Sequence, residues 1–390
     1  MLSKKQITLL FFVVLTFAMA APSVAWAGNS PLNDSQEPGS VLVFPLFEKG
    51  TVPCPPDLPY GCAPGSTLPK TSFEISVVCP EGINACADDD VDIHVEWVCP
   101  GFGALSTCVQ RDFFVNTTVG GTVRFEPVTE LCRPTAPFDA DERLHACGNV
   151  IAPQCNEGYA IAWVVDEFNR PIKFDGLLGD AVLRESSTAV TAYNAIPIQA
   201  APSIKSRALI PLGPGGALKF DGTGYQEVTG AITGSVQLDF VNTAGVDQDQ
   251  TSLVLLTLDV NTNHINNATD VDLNFYNESE VPTSHHFTFT CFAETGALFM
   301  GDFGVPFNTG GFGQETSISP ETLKALVQSG PATQTNILTG VTVPATLLGL
   351  ILTRECPTTG CNAAAGVPPL RDFAYPLLND SVPVATNFVP

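Results

Sequence analysis

The sequence predicts an all-β protein built as two β-sandwiches, and three observations carry that expectation. Apolar and polar residues alternate with a period of two in segment after segment. Charged residues make up 15% of the 390-residue chain, below the ~25% usual in soluble domains, while Thr, Asn, Gly and Pro are plentiful. Twelve cysteines follow an export-type leader, so disulfides are expected to brace the loops.

Residues 1–27 read as a signal peptide. Lys4 and Lys5 form a positive start, ITLLFFVVLTFAMA an apolar core, and Ala25-Trp26-Ala27 a small-residue cleavage site. The apolar run is shorter than the ~20 residues a membrane-spanning helix needs, so cleavage is expected rather than anchoring. Cleavage removes two lysines and no acid, leaving 15 basic and 40 acidic groups and taking the net charge from −23 to −25. The product is expected to be secreted, either periplasmic or extracellular at the cell surface, with no membrane span. Such acidity excludes nucleic acid as a partner, because binding to phosphates needs a basic footprint.

The elements follow in chain order. Strands are expected at SVLVFPLF (40–47), SFEISVVC (72–79), VDIHVEWVC (91–99), FFVNTTV (113–119) and YAIAWVVD (159–166). Further strands are expected at SVQLDFVN (235–242), SLVLLTLDV (252–260), DVDLNFYN (270–277) and HHFTFTCF (285–292). In 91–99, Val91, Ile93, Val95, Trp97 and Cys99 share one face and Asp92, His94 and Glu96 the other. One short helix is expected where Ser319 can cap, Pro320 fits the first position and Gly330 follows ETLKALVQS. Short strands with turn clusters between them suit two immunoglobulin-like β-sandwich domains with disulfide-stapled loops. The expected boundaries are 28–200, which is cysteine-rich, and 201–390, with IQAAPSIKSRA (198–208) as linker.

Ten cysteines fall into close pairs: Cys54/Cys62, Cys79/Cys86, Cys99/Cys108, Cys147/Cys155 and Cys356/Cys361. The segments between them hold turn residues, so local loop staples are expected. If 71–79 and 91–99 formed one antiparallel hairpin, Cys79 and Cys99 would stand roughly 26 Å apart, too far to bond. Cys132 and Cys291 are left over, either paired across the two halves or, for Cys291, buried as a thiol.

No recognised catalytic motif is present: no GxSxG, HExxH, phosphate-binding loop or paired CxxC, so no catalytic residue and no cofactor are assigned. Asp92, His94 and Glu96 could meet a metal, but a solvated sheet face is the expectation. His285 and His286 point to opposite faces, and His145 and His264 stand alone. Calcium is the one ion left open, at DVNTNHINNATD, where Asp259, Asn261, Asn263 and Asp270 stand at alternate loop positions. His264 replaces the usual turn glycine there, and a polar hairpin turn is expected instead. Asp88-Asp89-Asp90 and Asp139-Ala140-Asp141-Glu142 read as solvated loops, and sequons occur at Asn116, Asn267 and Asn277.

PGSVLVFPLF (38–47) resembles a recurring start in secreted bacterial proteins without an assigned function. GYAIAWVVDEFNRPIKFDGLLGDAVLR (158–184), AYNAIPIQ (192–199), LNFYNESEVPTSHHFTFTCF (273–292) and TGVTVPATLLGLILTRE (339–355) are similar to that group as well. The resemblance implies export and immunoglobulin-like sandwiches, and brings no catalytic or binding residue with it. The expected function is a secreted or surface structural or adhesive module without catalytic activity. The alternatives are a carbohydrate-binding accessory module or hydrolase, or a fibre subunit whose SVLVFPLF strand enters a neighbour. A protein or glycan ligand and self-assembly are the open partner classes.

Overall fold

The computed structural model describes residues 37–54, 66–80, 83, 86, 89–100, 108–127, 133–134, 150–185, 190–237, 249–258, 267–276, 282–294, 324–336, 339–355, 371–376, 378–383 and 387–388. Residues 1–27, read from the sequence as a signal peptide, lie outside them. The chain is nearly all β, and among the described residues the only helical turn is the 3-10 turn Pro214–Gly216.

The strands up to residue 198 are β1 (Val41–Glu48), β2 (Thr51–Pro53), β3 (Thr67–Pro69), β4 (Thr71–Val77), β5 (Asp90–Cys99), β6 (Val109–Thr118), β7 (Thr122–Phe125), β8 (Arg133–Pro134), β9 (Glu157–Val165), β10 (Leu177–Arg184), β11 (Val190–Asn194) and β12 (Ile196–Ile198). Those after it are β13 (Leu218–Lys219), β14 (Thr229–Gln237), β15 (Asp249–Leu256), β16 (Asn267–Tyr276), β17 (Pro282–Phe289), β18 (Phe292–Glu294), β19 (Lys324–Ser329), β20 (Thr333–Asn336), β21 (Thr342–Pro344), β22 (Leu348–Glu355), β23 (Arg371–Pro376), β24 (Leu378–Pro383) and β25 (Asn387–Phe388).

Sheet one runs β12-β1-β9-β5-β6 and sheet two β11-β10-β4-β7-β8. Sheet three runs β21-β20-β16-β19-β14-β24, with β17 on the free edge of β16, and sheet four β18-β15-β22-β23. Sheets two and one face each other across an aromatic core. Phe44, Trp97 and Phe113 of sheet one interleave with Phe73 and Phe125 of sheet two at centroid distances from 5.0 to 6.5 Å. Trp97 keeps its polar end satisfied, donating from Nε1 to the Ile151 carbonyl at 2.7 Å. Gly179 of β10 lets the sheets close, because a Cβ there would meet Leu42 and Phe44 side chains at 2.8 Å.

The other face of sheet one is covered too. Val254 and Leu256 of β15 and Leu348, Leu350 and Leu352 of β22 belong to the same continuous core as β1 and β9. The opposite faces of those strands, with Leu253, Leu255 and Ile351, pack on Ile232, Val271, Leu273 and Phe289 of sheet three. The four sheets therefore stack in the order two, one, four, three. A strand buried on both faces reads as a continuous apolar run, which is why VLVFPLF, YAIAWVV and LGLIL do not alternate. Pro45 breaks the β1–β9 ladder, and the pairing shifts between Phe44 and Phe47. The buried Tyr193 hydroxyl closes that bulge by accepting from the Leu46 N–H and donating to the Leu46 carbonyl.

One expectation needs correction, and one conditional arrangement is not adopted. Residues 324–329 form strand β19, not a helix, since their backbone pairs with β14 on one side and β16 on the other. A helix of that length is marginal alone, so two sheet ladders outweigh its caps. Segments 71–77 and 90–99 are not a hairpin: β4 pairs with β7 and β10 in sheet two, β5 with β6 and β9 in sheet one. The segment 198–208 is tied down, with Ile198, Ala200 and Ala201 buried and the Ala200 N–H donating to Asp175 at 2.8 Å.

Candidate functional site

The cysteines form bonds that bear out one of the expected staples and differ from two others. Cys79 joins Cys86, as the loop-staple expectation had it. Cys99 joins Cys155, and Cys108 joins Cys291. This overturns Cys99/Cys108, Cys147/Cys155 and a Cys132–Cys291 bond. The reason lies in the β5–β6 register: Cys99 stands opposite Val109, so alternation sends Cys108 to the other face of the sheet. That face is the one covered by sheet four, where Cys291 precedes β18 and contacts the Cys99 carbonyl at 3.3 Å. A bridge across the halves exists, therefore, with Cys108 as the partner. A crosslink of 183 residues' separation restrains the unfolded chain by roughly 5 kcal/mol on the loop-entropy account. Cys54 is disulfide-bonded, while Cys62, Cys132, Cys147, Cys356 and Cys361 lie outside the described residues.

On the same face as Cys108, sheet one carries a polar and aromatic shelf. The register aligns Phe114 of β6, His94 of β5 and Trp163 of β9 in one cross-strand row. His94 stacks on Trp163 at 4.2 Å and lies 4.5 Å from the Phe114 ring. One step along, Asp112 pairs with Glu96 and Glu96 with Ile161; on the other side Asn116 donates to Asp92 at 2.7 Å.

Glu96 is the unexpected member, because a strand face read as solvated buries it to 2% exposure. Burial, and then the Asp112 carboxylate, push its carboxyl well above the usual range. Its Oε2 has no hydrogen-bond partner, nor has Nε2 of His94. Burial also pushes His94 down to about 4, against the smaller opposing pull of Asp112. At 3.6 Å from Asp112 Oδ2, a neutral His94 makes no ion pair at neutral pH. Asp92, His94 and Glu96 do not form a metal centre: among the described residues no group of three or more His, Cys, Asp or Glu converges to hold an ion. The sequence pointed to β5 but missed Asp112, Phe114 and Trp163, since only the register brings them together.

A second histidine is arranged differently. On the outer face of sheet three, His286 Nδ1 meets Asp272 Oδ1 at 2.8 Å and Nε2 stands 3.4 Å from Asp270 Oδ1. The hydrogen bond that the ring donates to the Asp272 carboxylate raises its pKa above the ordinary value. Thr288 donates to Asp270 and Ser284 to Asn274, each at 2.6 Å, so the β16–β17 face is a polar ladder. Asp270 thus has protein partners, while Asp259, Asn261, Asn263 and His264 of the calcium reading lie outside the described residues. So do Asp88, His145, the acidic cluster 139–142 and Asn277. Asp89 pairs with Arg207.

Among the described residues no helix is long and apolar enough to cross a membrane. No protein-family model matches the chain, and no curated protein matches it.

Proposed function

We propose that this is an exported structural or adhesive β-sandwich protein, working at the cell surface or in the periplasm without catalytic activity. The observation that carries this reading is the continuous core through sheets one and four, crosslinked by Cys108–Cys291. A body braced in this way resists pulling and proteolysis, as an exposed scaffold must, and disulfides persist in oxidising compartments.

The immunoglobulin-like reading is part of the proposal. In its favour, β10-β4-β7-β8 can be laid by position on the A-B-E-D sheet of that fold and β6-β5-β9-β1 on its C′-C-F-G sheet, with the departure that β8, in the place of D, follows β7, in the place of E, along the chain. The first strand then occupies the place of G, beside β9, and β10 the place of A. Because β1 lies between β9 and β12 of its own chain, the fibre reading gains no support from it.

The test is fractionation of the source cells with N-terminal sequencing of the recovered protein, followed by adhesion of deletion and complemented strains. The expected result is a mature chain starting at Gly28 outside the cytoplasm and an adhesion or envelope defect that complementation restores. An uncleaved cytoplasmic chain overturns export, and turnover of a glycoside or ester panel by the purified protein overturns the non-enzymatic reading.

A further inference from the structure

We propose that the shelf of β5 and β6 binds a primary ammonium group, held between Asp112 and Glu96 against the rings of Phe114 and His94. This inference stands apart from the adhesive reading and names a ligand class for a site that the reading does not use.

Four observations converge on it. Glu96 is 2% exposed, and its Oε2 lacks any donor, although buried polar atoms are nearly always paired. The residue directly across the ladder is a second acid, Asp112, whose side chain is 64% exposed. His94 Nε2 is a further orphan on the same face, 3.6 Å from Asp112. Phe114 and His94 supply ring surfaces, and an aromatic face attracts a cation.

The chemistry of the ligand follows from what the shelf lacks. It lacks a positive charge, and its carboxylates can only accept hydrogen bonds when ionised. A metal ion needs several convergent ligands, which these residues do not provide. An ammonium carries three donors on a small head, and its carbon stem can lie on the rings. Its positive charge favours the ionised form of Glu96, which burial and Asp112 disfavour. On this face Asp92 and His94 lie along the same strand as Glu96 and Asp112 lies directly across on β6, while β9 presents Ile161 and Trp163.

Titration of isotope-labelled mature protein with n-butylammonium chloride at constant ionic strength tests this, read by the His94 and Phe114 ring signals. The expected result is a saturable shift of both rings, weakened at least tenfold in Asp112→Asn and in Glu96→Gln, with no response to n-butanol. Asp112 is exposed, so its variant is informative even where Glu96→Gln fails to fold. A parallel titration with Nα-acetyl-lysine methylamide distinguishes a polypeptide lysine, which binds more tightly than butylammonium, from a free alkylamine, which binds equally. Linear shifts, equal shifts with n-butanol, or an unchanged midpoint in folded Asp112→Asn overturn the proposal.

Discussion

His94 and His286 both stand on strand faces beside carboxylates, and the fold treats them in opposite ways. His94 is 13% exposed at its side chain and is pushed down to about 4. His286 is 60% exposed and is raised above its ordinary value by Asp272. A carboxylate stands within 4 Å of each ring, so the partner alone does not decide the sign. Access to water decides it. Stacked on Trp163, the His94 ring loses more by desolvation than Asp112 returns.

Removing the ring that shields His94 breaks the comparison most severely. Trp163 is 1% exposed, and Trp163→Ala is expected to cost about 3–5 kcal/mol in urea denaturation. In the same variant the His94 pKa climbs from about 4 toward 6.5, read by NMR titration. A His94 that stays near 4 without the indole shows that other atoms shield it.

Acid is the next lever. The folded pKa of His94 lies below its unfolded value of 6.5, so the folded state binds fewer protons. Its contribution is complete above pH 6.5 and is lost as pH falls toward 4, by about 3 kcal/mol for the whole window. Glu96, raised by burial, acts with the opposite sign, so the quantity to measure is the difference between wild type and His94→Gln from pH 7 to 4. A flat difference places the His94 charge in water.

These contrasts mark what could be read from the residues alone. The alternating strands were legible at 72–79, 91–99 and 270–277, because buried and more open positions alternate along β4, the first half of β5 and the described side chains of β16. The continuous runs in β1, β9 and β22 were legible as strands, but not as the inner layers of a stack, which depends on what covers them. Residues 324–329 carry helix caps in their neighbourhood and become strand through ladders to β14 and β16, partners far away in sequence. Alternation placed Glu96 on the polar face correctly; its burial comes from packing no local pattern encodes. Cysteine spacing misled for the same reason, since the face on which Cys108 emerges follows from register and not from proximity to Cys99.

Glu96 offers a third way to sharpen the contrast. Glu96→Met removes an ionisable group from a buried position while keeping similar volume. Stability at pH 8 is expected to rise by ~1–3 kcal/mol, the usual cost of an unsatisfied buried polar group. The gain should shrink as pH falls, because protonation relieves the same cost in wild type: a raised carboxyl pKa favours the folded state in acid. Paired denaturation curves at pH 8 and pH 5 measure it, and a gain equal at both values contradicts a charge-based cost.

The smallest effect is expected at the exposed histidine. Asp272→Asn keeps the shape of the partner and removes its charge, so the His286 pKa should drop back toward 6.5, with Asp270 at 3.4 Å retaining part of the shift. A raised histidine pKa contributes stability that is present in full below pH 6.5 and is lost as pH rises through the folded value. For a side chain this open to water, that contribution is expected to stay within about 0.5 kcal/mol, because solvent screens the pair. NMR titration of His286 should therefore move clearly while the denaturation midpoint hardly changes. A midpoint shift as large as that of His94→Gln in acid would mean that the β16–β17 ladder is closed to water like the shelf of sheet one, and the distinction between the two histidines would fail.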